Sequence, residues 1–138
     1  MSDEYFNVVD RQDQIWGRKT RQEVHERGLL HRAIHVLLFH EGKIFLQRRS
    51  FQKDTAPGCW DSSCSGHVDA GEVYAIAMRR ELEEELGVRE TIPVWPIFKL
   101  PPSSETGWEF IWVYRGLAAV PFPMHPDEIL DGYCFPYT

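Results

Sequence analysis

The sequence predicts an α/β fold in which helices pack against a mixed β-sheet, in a single domain over residues 1–138. Three observations support this prediction. Short apolar, β-branched segments are separated by turn signals, and one long helical pattern lies among them at 72–86. The chain has 138 residues, of which 43% are hydrophobic, so it can bury one core without disulfide bonds. Strands mixed with helices in this way indicate layers of helix on sheet.

The predicted strands are apolar runs bounded by turn residues. They are expected at 6–10, 15–18, 31–39, 43–49, 92–100 and 108–116. Glu41-Gly42 suits a tight turn, so the third and fourth strands should form a hairpin. Residues 50–61 and 101–107 contain Pro and Gly and are expected to be loops.

Two shorter helical segments are also predicted. Thr20 followed by Glu23 is typical of a capping box, which opens a helix that should end near Gly28. One helical turn is expected at 126–131, and an extended segment at 133–138.

The composition argues against several classes of function. The net charge of −6 at pH 7 disfavours non-specific binding to nucleic acid or to a membrane surface. A phosphate-bearing substrate remains compatible with this charge if metal ions supply local positive charge. No apolar run reaches the roughly 18 residues of a membrane span, and we expect a cytoplasmic protein. The three cysteines are expected to be free thiols.

An acidic segment, GHVDAGEVYAIAMRRELEEELGV, occupies residues 66–88. Its helix has an apolar stripe made of Ala75, Met78, Leu82 and Leu86. At 100° per residue from Leu82, Glu81, Glu85 and Glu84 fall at about −100°, −60° and −160°. These three carboxylates therefore share one side of the stripe, while Glu83 falls on the other.

Like charges at this spacing repel each other by a few tenths of a kcal/mol per pair. A solvated acidic face is one interpretation of the segment. The other is a site for a hard divalent cation such as Mg²⁺, which takes oxygen ligands and often bridges carboxylates and phosphates. The second interpretation is favoured by a loop at 66–71 that precedes the helix and by Gly87, which should end it.

The same 23 residues resemble the signature of the Nudix hydrolase family, G-x5-E-x7-R-E-U-x-E-E-x-G-U, where U is bulky and apolar. Every specified position matches. The resemblance implies an α/β/α sandwich with a mixed sheet, and Mg²⁺ or Mn²⁺ bound by Glu81, Glu84 and Glu85. It also implies the carbonyl of Gly66 as a further ligand.

The resemblance implies roles for other residues of this chain as well. Glu72 and Arg80 are expected to pair and to brace the signature segment. Glu81 would also be the general base, unless a glutamate outside the signature, for which Glu109 and Glu128 are the candidates, does that work.

Hydrolysis of a pyrophosphate bond is the reaction implied. Metal ions offset the negative charge that repels the attacking water and the charge on the leaving phosphate. Arg48 and Arg49 could contact the diphosphate, or they are exposed charges at a strand end. We expect a small-molecule partner, either a nucleoside diphosphate linked to another group, a nucleoside triphosphate or another diphosphate.

A looser resemblance, over residues up to about 112, is to isopentenyl-diphosphate isomerases of the Nudix type. His67 follows the signature glycine as in those enzymes, and His25 and His31 roughly match two more of their metal ligands. Their catalytic cysteine immediately precedes the Gly-His pair, whereas here Ser65 does and Cys64 is one residue early. Hydrolysis is therefore favoured, with the isomerase as the alternative and a non-catalytic nucleotide-binding module as the third.

The sequence ends with residues 135–138, at a point where related proteins usually continue with a helix. A naturally short domain, a covering partner subunit and a truncated chain are the three explanations. An aromatic surface that favours a homodimer is one interpretation of five side chains, and simple core packing is the other. They are Trp95, Trp108, Phe110, Trp112 and Tyr114.

Overall fold

The computed structural model describes residues 4–49, 51, 58–89, 91–118 and 129–136, the last segment by its backbone path. Its nine described strands are β1 (Tyr5–Val9), β2 (Ile15–Thr20), β3 (His31–His40), β4 (Lys43–Arg49), β5 (Trp60–Asp61), β6 (Cys64–His67), β7 (Val94–Leu100), β8 (Glu109–Leu117) and β9 (Ile129–Pro136). Its two described helices are α1 (Arg21–Arg27) and α2 (Tyr74–Leu86).

The main sheet is mixed, as the sequence predicts. Its seven strands run in the order β5-β4-β3-β8-β7, with β6 paired to β3 and β9 paired to β4. The pairing of β3 with β8 is parallel, and the other pairings are antiparallel. β1 and β2 form a separate antiparallel pair. The predicted α/β class with a mixed sheet is therefore confirmed.

The core lies between α2 and one face of the main sheet. From the helix it contains Ala77, Met78, Leu82 and Leu86, and from the sheet Ile34, Val36, Leu38, Phe45, Cys64 and Tyr114, together with Val68. Ala75, which the helical pattern assigned to the apolar stripe, is exposed, and Ala77 takes that place. A smaller cluster packs α1 on β1.

Local turn and capping signals predicted several boundaries correctly. The Thr20 hydroxyl accepts a hydrogen bond from the backbone N–H of Glu23, and α1 ends at Gly28 with φ of 61°. Glu41 and Gly42 both have positive φ, as a tight hairpin turn between β3 and β4 requires.

Four predicted boundaries were wrong. α2 begins at Tyr74, so Glu72 precedes it, and Gly66 belongs to β6 rather than to a loop. Ile129–Asp131 lies in β9, not in a helical turn, because pairing with β4 extends the backbone there. The remainder of that predicted turn, 126–128, lies outside the described residues. The loop predicted at 50–61 ends in the short strand β5.

The aromatic surface expected for a homodimer is only partly present. Phe110 and Tyr114 are buried, and Trp112 packs against the core. Trp95 and Trp108 are exposed, and Trp95 lies on β7, at one end of the strand order of the main sheet. A homodimer remains an expectation. No helix in the described part of the chain is long and apolar enough to cross a membrane.

Asp13, in the turn between β1 and β2, connects this hairpin to the rest of the domain. Its buried carboxylate accepts hydrogen bonds from Arg32 Nε at 2.7 Å, Tyr74 Oη at 2.7 Å and Lys99 Nζ at 2.6 Å. Burial opposes ionisation of Asp13, but the bonds from Lys99, Arg32 and Tyr74 outweigh it and lower its pKa.

We expect Asp13→Asn to lower the free energy of unfolding by about 1–3 kcal/mol at pH 7, because buried donors lose a charged acceptor. A lowered native pKa stabilises the protein above the unfolded pKa of Asp, and this contribution is lost as the pH falls through the native pKa. The difference between variant and wild type should therefore shrink below about pH 4. Urea titrations at pH 7 and pH 3 measure this difference in the free energy of unfolding.

Asp10→Asn is the matched control, since Asp10 is in the same turn and its side chain accepts only backbone N–H groups among the described contacts. An equal difference at both pH values would contradict the linkage.

Candidate active site

A cleft of about 840 Å³ opens beside β6 and the first turns of α2. Acidic groups dominate its lining, which brings together the three signature glutamates and a group of histidines. The ionisable residues lining it are Glu4, Arg21, His25, His35, Asp61, His67, Asp69, Arg80, Glu81, Glu84, Glu85, Glu105 and Glu109. Among the residues that the structure describes, its basic side chains other than histidine are therefore two arginines.

The three glutamates predicted as metal ligands all reach this cleft, but their environments differ. Glu85 is buried, with 6% of its surface exposed, and the Glu81 side chain is 13% exposed. The Glu84 side chain, at 59%, is open to solvent. The pKa of Glu81 is raised, mainly by its burial and next by the negative charge of the nearby Glu85 carboxylate. Two close negative charges in a poorly solvated site disfavour ionisation.

Gly66 allows this arrangement. A β-carbon at position 66 would collide with the carboxyl group of Glu81, so a residue without a side chain lets Glu81 keep its position beside β6. Gly66 is paired with Ile34 of β3, and its strand faces alternate, so Cys64 and Gly66 share the α2 side. The strand therefore places peptide groups directly beside the Glu81 carboxylate.

Arg80 connects the segment before α2 to the cleft. Its guanidinium donates to both Glu72 oxygens, Nε to Oε2 at 2.7 Å and Nη2 to Oε1 at 2.9 Å. It also donates to the carbonyl of His67 at 3.0 Å, to Glu81 Oε1 at 2.6 Å and to Glu84 Oε2 at 3.1 Å. The contact expected between Glu72 and Arg80 is present, and it is bidentate.

We expect Arg80→Lys to lower turnover by about 10–100-fold, because one ammonium group cannot replace the planar set of donors that orients four partners. Arg79→Lys is the matched control, since Arg79 is adjacent and donates to the carbonyl of Ile92. Steady-state kinetics and thermal unfolding of both variants measure the effect. Equal activities of the two variants would contradict an orienting role for Arg80.

Arg48 does not reach the cleft in the described structure. Its Nε donates to the carbonyl of Gly58 at 2.7 Å, and its guanidinium lies 5.5 Å from the centre of the Phe51 ring. Strand alternation directs Gln47 towards α2 and Arg48 to the opposite face of β4, where Arg48 contacts Gly58. The side chain of Arg49 and all of Glu128 lie outside the described residues.

Arg21 and Gln47 are among the cleft residues that sequence reasoning missed. Arg21, on α1, lines the cleft and contacts Glu4 Oε2 at 3.2 Å. Gln47, on β4, donates from Nε2 to Glu85 Oε1 at 2.7 Å. Period-two alternation along β4 would have placed Gln47 on the core-facing side together with Phe45, and a polar residue at a core position is the signal that could have found it.

A second cluster in the cleft joins three histidines from three elements. The ligand-type atoms of His25, His31 and His67 lie within 4.8 Å of one another. Glu109 Oε2 lies 2.8 Å from His67 Nε2 and 3.2 Å from His31 Nε2. Burial opposes ionisation of Glu109, but hydrogen bonds from His31 and His67 more than offset it, and the pKa is lowered to about 2. Glu109 is therefore a weak proton acceptor.

His31 shows why this cluster could accept a cation. Its Nδ1 lies 2.8 Å from the carbonyl of Leu29, which can only accept, so Nδ1 carries a proton. Nε2 is buried and lies 3.2 Å from Glu109 Oε2, so it can donate to Glu109 only in the doubly protonated ring, whereas in the neutral ring the two facing atoms are both acceptors. Two facing acceptors are stabilised by a shared proton or by a cation.

Cys64 is fully buried on the α2 side and does not line the cleft. Burial raises the pKa of its thiol, and the negative charges of Glu85 and Glu81 raise it further. Ser65, on the other side of β6, does line the cleft, and its hydroxyl lies 3.3 Å from Asp61 Oδ2. The one-residue displacement of the cysteine thus removes the thiol from the cleft.

Comparison with known proteins shows where this chain belongs. The NUDIX domain model matches residues 29–136. One relative is an uncharacterized Nudix hydrolase of Pseudomonas aeruginosa, which is 47% identical over 85 residues, or 61% of this chain. Another is an isopentenyl-diphosphate Delta-isomerase of Serratia proteamaculans, which is 41% identical over 119 residues, or 83% of this chain. The chain spans 50% and 66% of their lengths, and 12% of a longer relative, Nudix hydrolase 3 of Arabidopsis thaliana.

Two solved structures share the fold. The crystal structure of DR0079 from Deinococcus radiodurans has a TM-score of 0.86 and 28% identity, over 96% of this chain and 83% of that one. The NUDIX domain of Shewanella oneidensis NrtR, solved with ADP ribose, has a TM-score of 0.61 and 18% identity, over 75% of this chain and 71% of that one. Gly66, Arg80, Glu81, Glu84 and Glu85 of the signature line the cleft. The matched domain establishes that this chain belongs to the Nudix family, whose hydrolases are pyrophosphohydrolases.

Proposed function

We propose that this domain hydrolyses a pyrophosphate bond in a small-molecule nucleotide, or another diphosphate, with Mg²⁺ or Mn²⁺ held by Glu81, Glu84 and Glu85. The carbonyl of Gly66 is proposed as a further ligand. One observation carries the proposal: Glu81 and Glu85 are both mostly buried, close together and directed into a cleft. Such a pair is electrostatically unfavourable alone and fits a hard cation with oxygen ligands.

The bound metal would supply Lewis-acid stabilisation of phosphate charge and a more acidic water at the site. Arg80 would hold the signature segment in place through Glu72, and Arg21 and Arg80 are the arginines available to the anionic substrate. Glu81 is the proposed general base, since the low pKa of Glu109 makes that residue a poor acceptor of a proton.

A substrate panel tests this function. Nucleoside triphosphates, nucleoside diphosphate sugars and ADP ribose are incubated with the protein and Mg²⁺ or Mn²⁺, and the products are identified by chromatography. ADP ribose is included because the NUDIX domain of Shewanella oneidensis NrtR was solved with it. We expect release of a monophosphate or of inorganic phosphate or pyrophosphate. When the reaction is run in water labelled with ¹⁸O, one product should carry the label. Absence of metal-dependent cleavage across the panel would reject the proposal.

An isomerase of the isopentenyl-diphosphate type is the second candidate, because the structure gathers His25, His31 and His67, which roughly match metal ligands of those enzymes. Glu109 lies beside His31 and His67. Incubation with isopentenyl diphosphate in D₂O tests it. Deuterium in the substrate or product would favour isomerisation. We expect none, because Cys64 is outside the cleft and Ser65 has its place. A non-catalytic nucleotide-binding module, the third candidate, would bind a compound of the panel without converting it.

A further inference from the structure

Hydrogen-bond donors from two strands contact Glu85, the most buried carboxylate of the signature segment. Glu85 Oε1 accepts a hydrogen bond of 2.7 Å from Gln47 Nε2, and the backbone N–H of Ser65 lies at 3.5 Å from the same oxygen. The Cys64 thiol is buried, and the negative charge of Glu85 helps to raise its pKa. Gln47 is on β4, while Ser65 and Cys64 are on β6, so the sheet contacts a carboxylate that the helix supplies.

Gln47 is itself held in one orientation. It is 3% exposed, and its Nε2 donates to the carbonyl of Ser63 at 3.1 Å as well as to Glu85. Both partners are acceptors, so a flipped amide would direct its own oxygen at them and lose both bonds. Ser63 is fixed in turn, because its hydroxyl accepts from the backbone N–H of Leu38 at 2.7 Å and donates to the carbonyl of Phe45.

The neutrality of Gln47 matters for the chemistry of the site. Glu81 contacts the Arg80 guanidinium, which offsets part of its charge. Gln47 contacts Glu85 through an uncharged amide N–H, so this bond orients the carboxylate and adds no positive charge to it. Orientation of a metal-binding carboxylate by such a hydrogen bond favours the binding of a divalent cation.

We propose that Gln47 is a positioning residue, which orients Glu85 for the divalent cation by donating to Oε1 without neutralising the carboxylate. This inference rests on the proposed function, because it assumes that Glu85 binds the metal. Gln47 itself contacts neither substrate nor metal in this assignment.

Mn²⁺ titration of the whole protein, followed by electron paramagnetic resonance, tests the inference without relying on turnover. Gln47→Met keeps the length of the side chain and removes the donor, and we expect Mn²⁺ to bind about 10–100-fold more weakly. In kinetics, the Mn²⁺ concentration for half-maximal rate should rise by a similar factor, with most of kcat recovered at saturating metal. Gln22→Met is the matched control, since it removes a similar amide-to-carboxylate bond, to Glu26, on the exposed surface of α1.

A double variant separates positioning from simple support of the fold. Gln47→Glu combined with Glu85→Gln exchanges donor and acceptor, so it can re-form the hydrogen bond between the two positions. It loses the bond to the Ser63 carbonyl, because a carboxylate cannot donate. We therefore expect it to recover part of the melting temperature in EDTA that Gln47→Met loses, but not Mn²⁺ affinity. Recovery of both would overturn the inference, because support of the fold would then be enough.

Two further outcomes distinguish this inference from the proposed function. If Gln47→Met binds Mn²⁺ as tightly as wild type while Glu85→Gln does not, the positioning role is overturned and the metal site stands. If the wild-type protein binds no Mn²⁺, both are overturned.

Discussion

Replacing Glu85 by Gln should lower turnover by about a thousandfold or more, the largest effect that we expect from a single substitution. Gln keeps the shape of the side chain but removes the charge that would attract the metal. Its amide oxygen can still accept from Gln47 Nε2, so the local hydrogen bond can persist. The loss should therefore fall on metal binding and catalysis rather than on folding.

Thermal unfolding in EDTA checks this separation. Without metal, the wild-type protein keeps Glu81 and Glu85 close together in a mostly buried site. Glu85→Gln removes one of these charges, so its melting temperature in EDTA should equal or exceed that of wild type. Addition of Mg²⁺ should raise the melting temperature of wild type and leave that of the variant unchanged.

Glu83→Gln is the matched control for this prediction. Glu83 lies on the same helix, is exposed and contacts Arg89 at 3.6 Å. The expected kinetics and Mg²⁺ response are those of wild type. Turnover of Glu85→Gln within tenfold of the Glu83→Gln value would remove Glu85 from the proposed metal site.

Local signals account for the parts of the structure that could be predicted from the sequence. The cap at Thr20 and the turn at Glu41-Gly42 depend on neighbours within a few residues, and they form as expected. The acidic side of α2 follows from the helical period alone, so Glu81, Glu84 and Glu85 were grouped before any fold was known. These features require no knowledge of which strands pair.

Features that depend on strand register were missed. Arg48 is a candidate for contact with the diphosphate because it is cationic and lies on the strand before the signature, but the register of β4 turns it to the other face, where it contacts Gly58. The same register brings Gln47 to Glu85, 38 residues away. Glu109 joins His31 because β8 pairs in parallel with β3. Such pairings are set by long-range packing, which no local pattern in the sequence specifies.

The close approach of β6 to α2 leads to the second large effect. Gly66→Ala should lower turnover by about a hundredfold or more and lower the free energy of unfolding by about 1–3 kcal/mol. The added methyl group would overlap the carboxyl group of Glu81, so either that side chain leaves its position or β6 moves away from the helix. Both displacements disturb the proposed metal site, because Gly66 and Glu81 are both proposed ligands.

Gly17→Ala is the matched control for this substitution. Gly17 is also in a strand, β2, and a β-carbon there would meet nothing within 4 Å, so we expect no loss of turnover. If the collision displaces Glu81, shortening that side chain should make room, and Gly66→Ala combined with Glu81→Ala should be more stable in EDTA than Gly66→Ala alone. The double variant should remain inactive, because the space is regained at the cost of a proposed ligand. Activity of Gly66→Ala equal to that of Gly17→Ala would show that the approach of β6 to Glu81 is not required for catalysis.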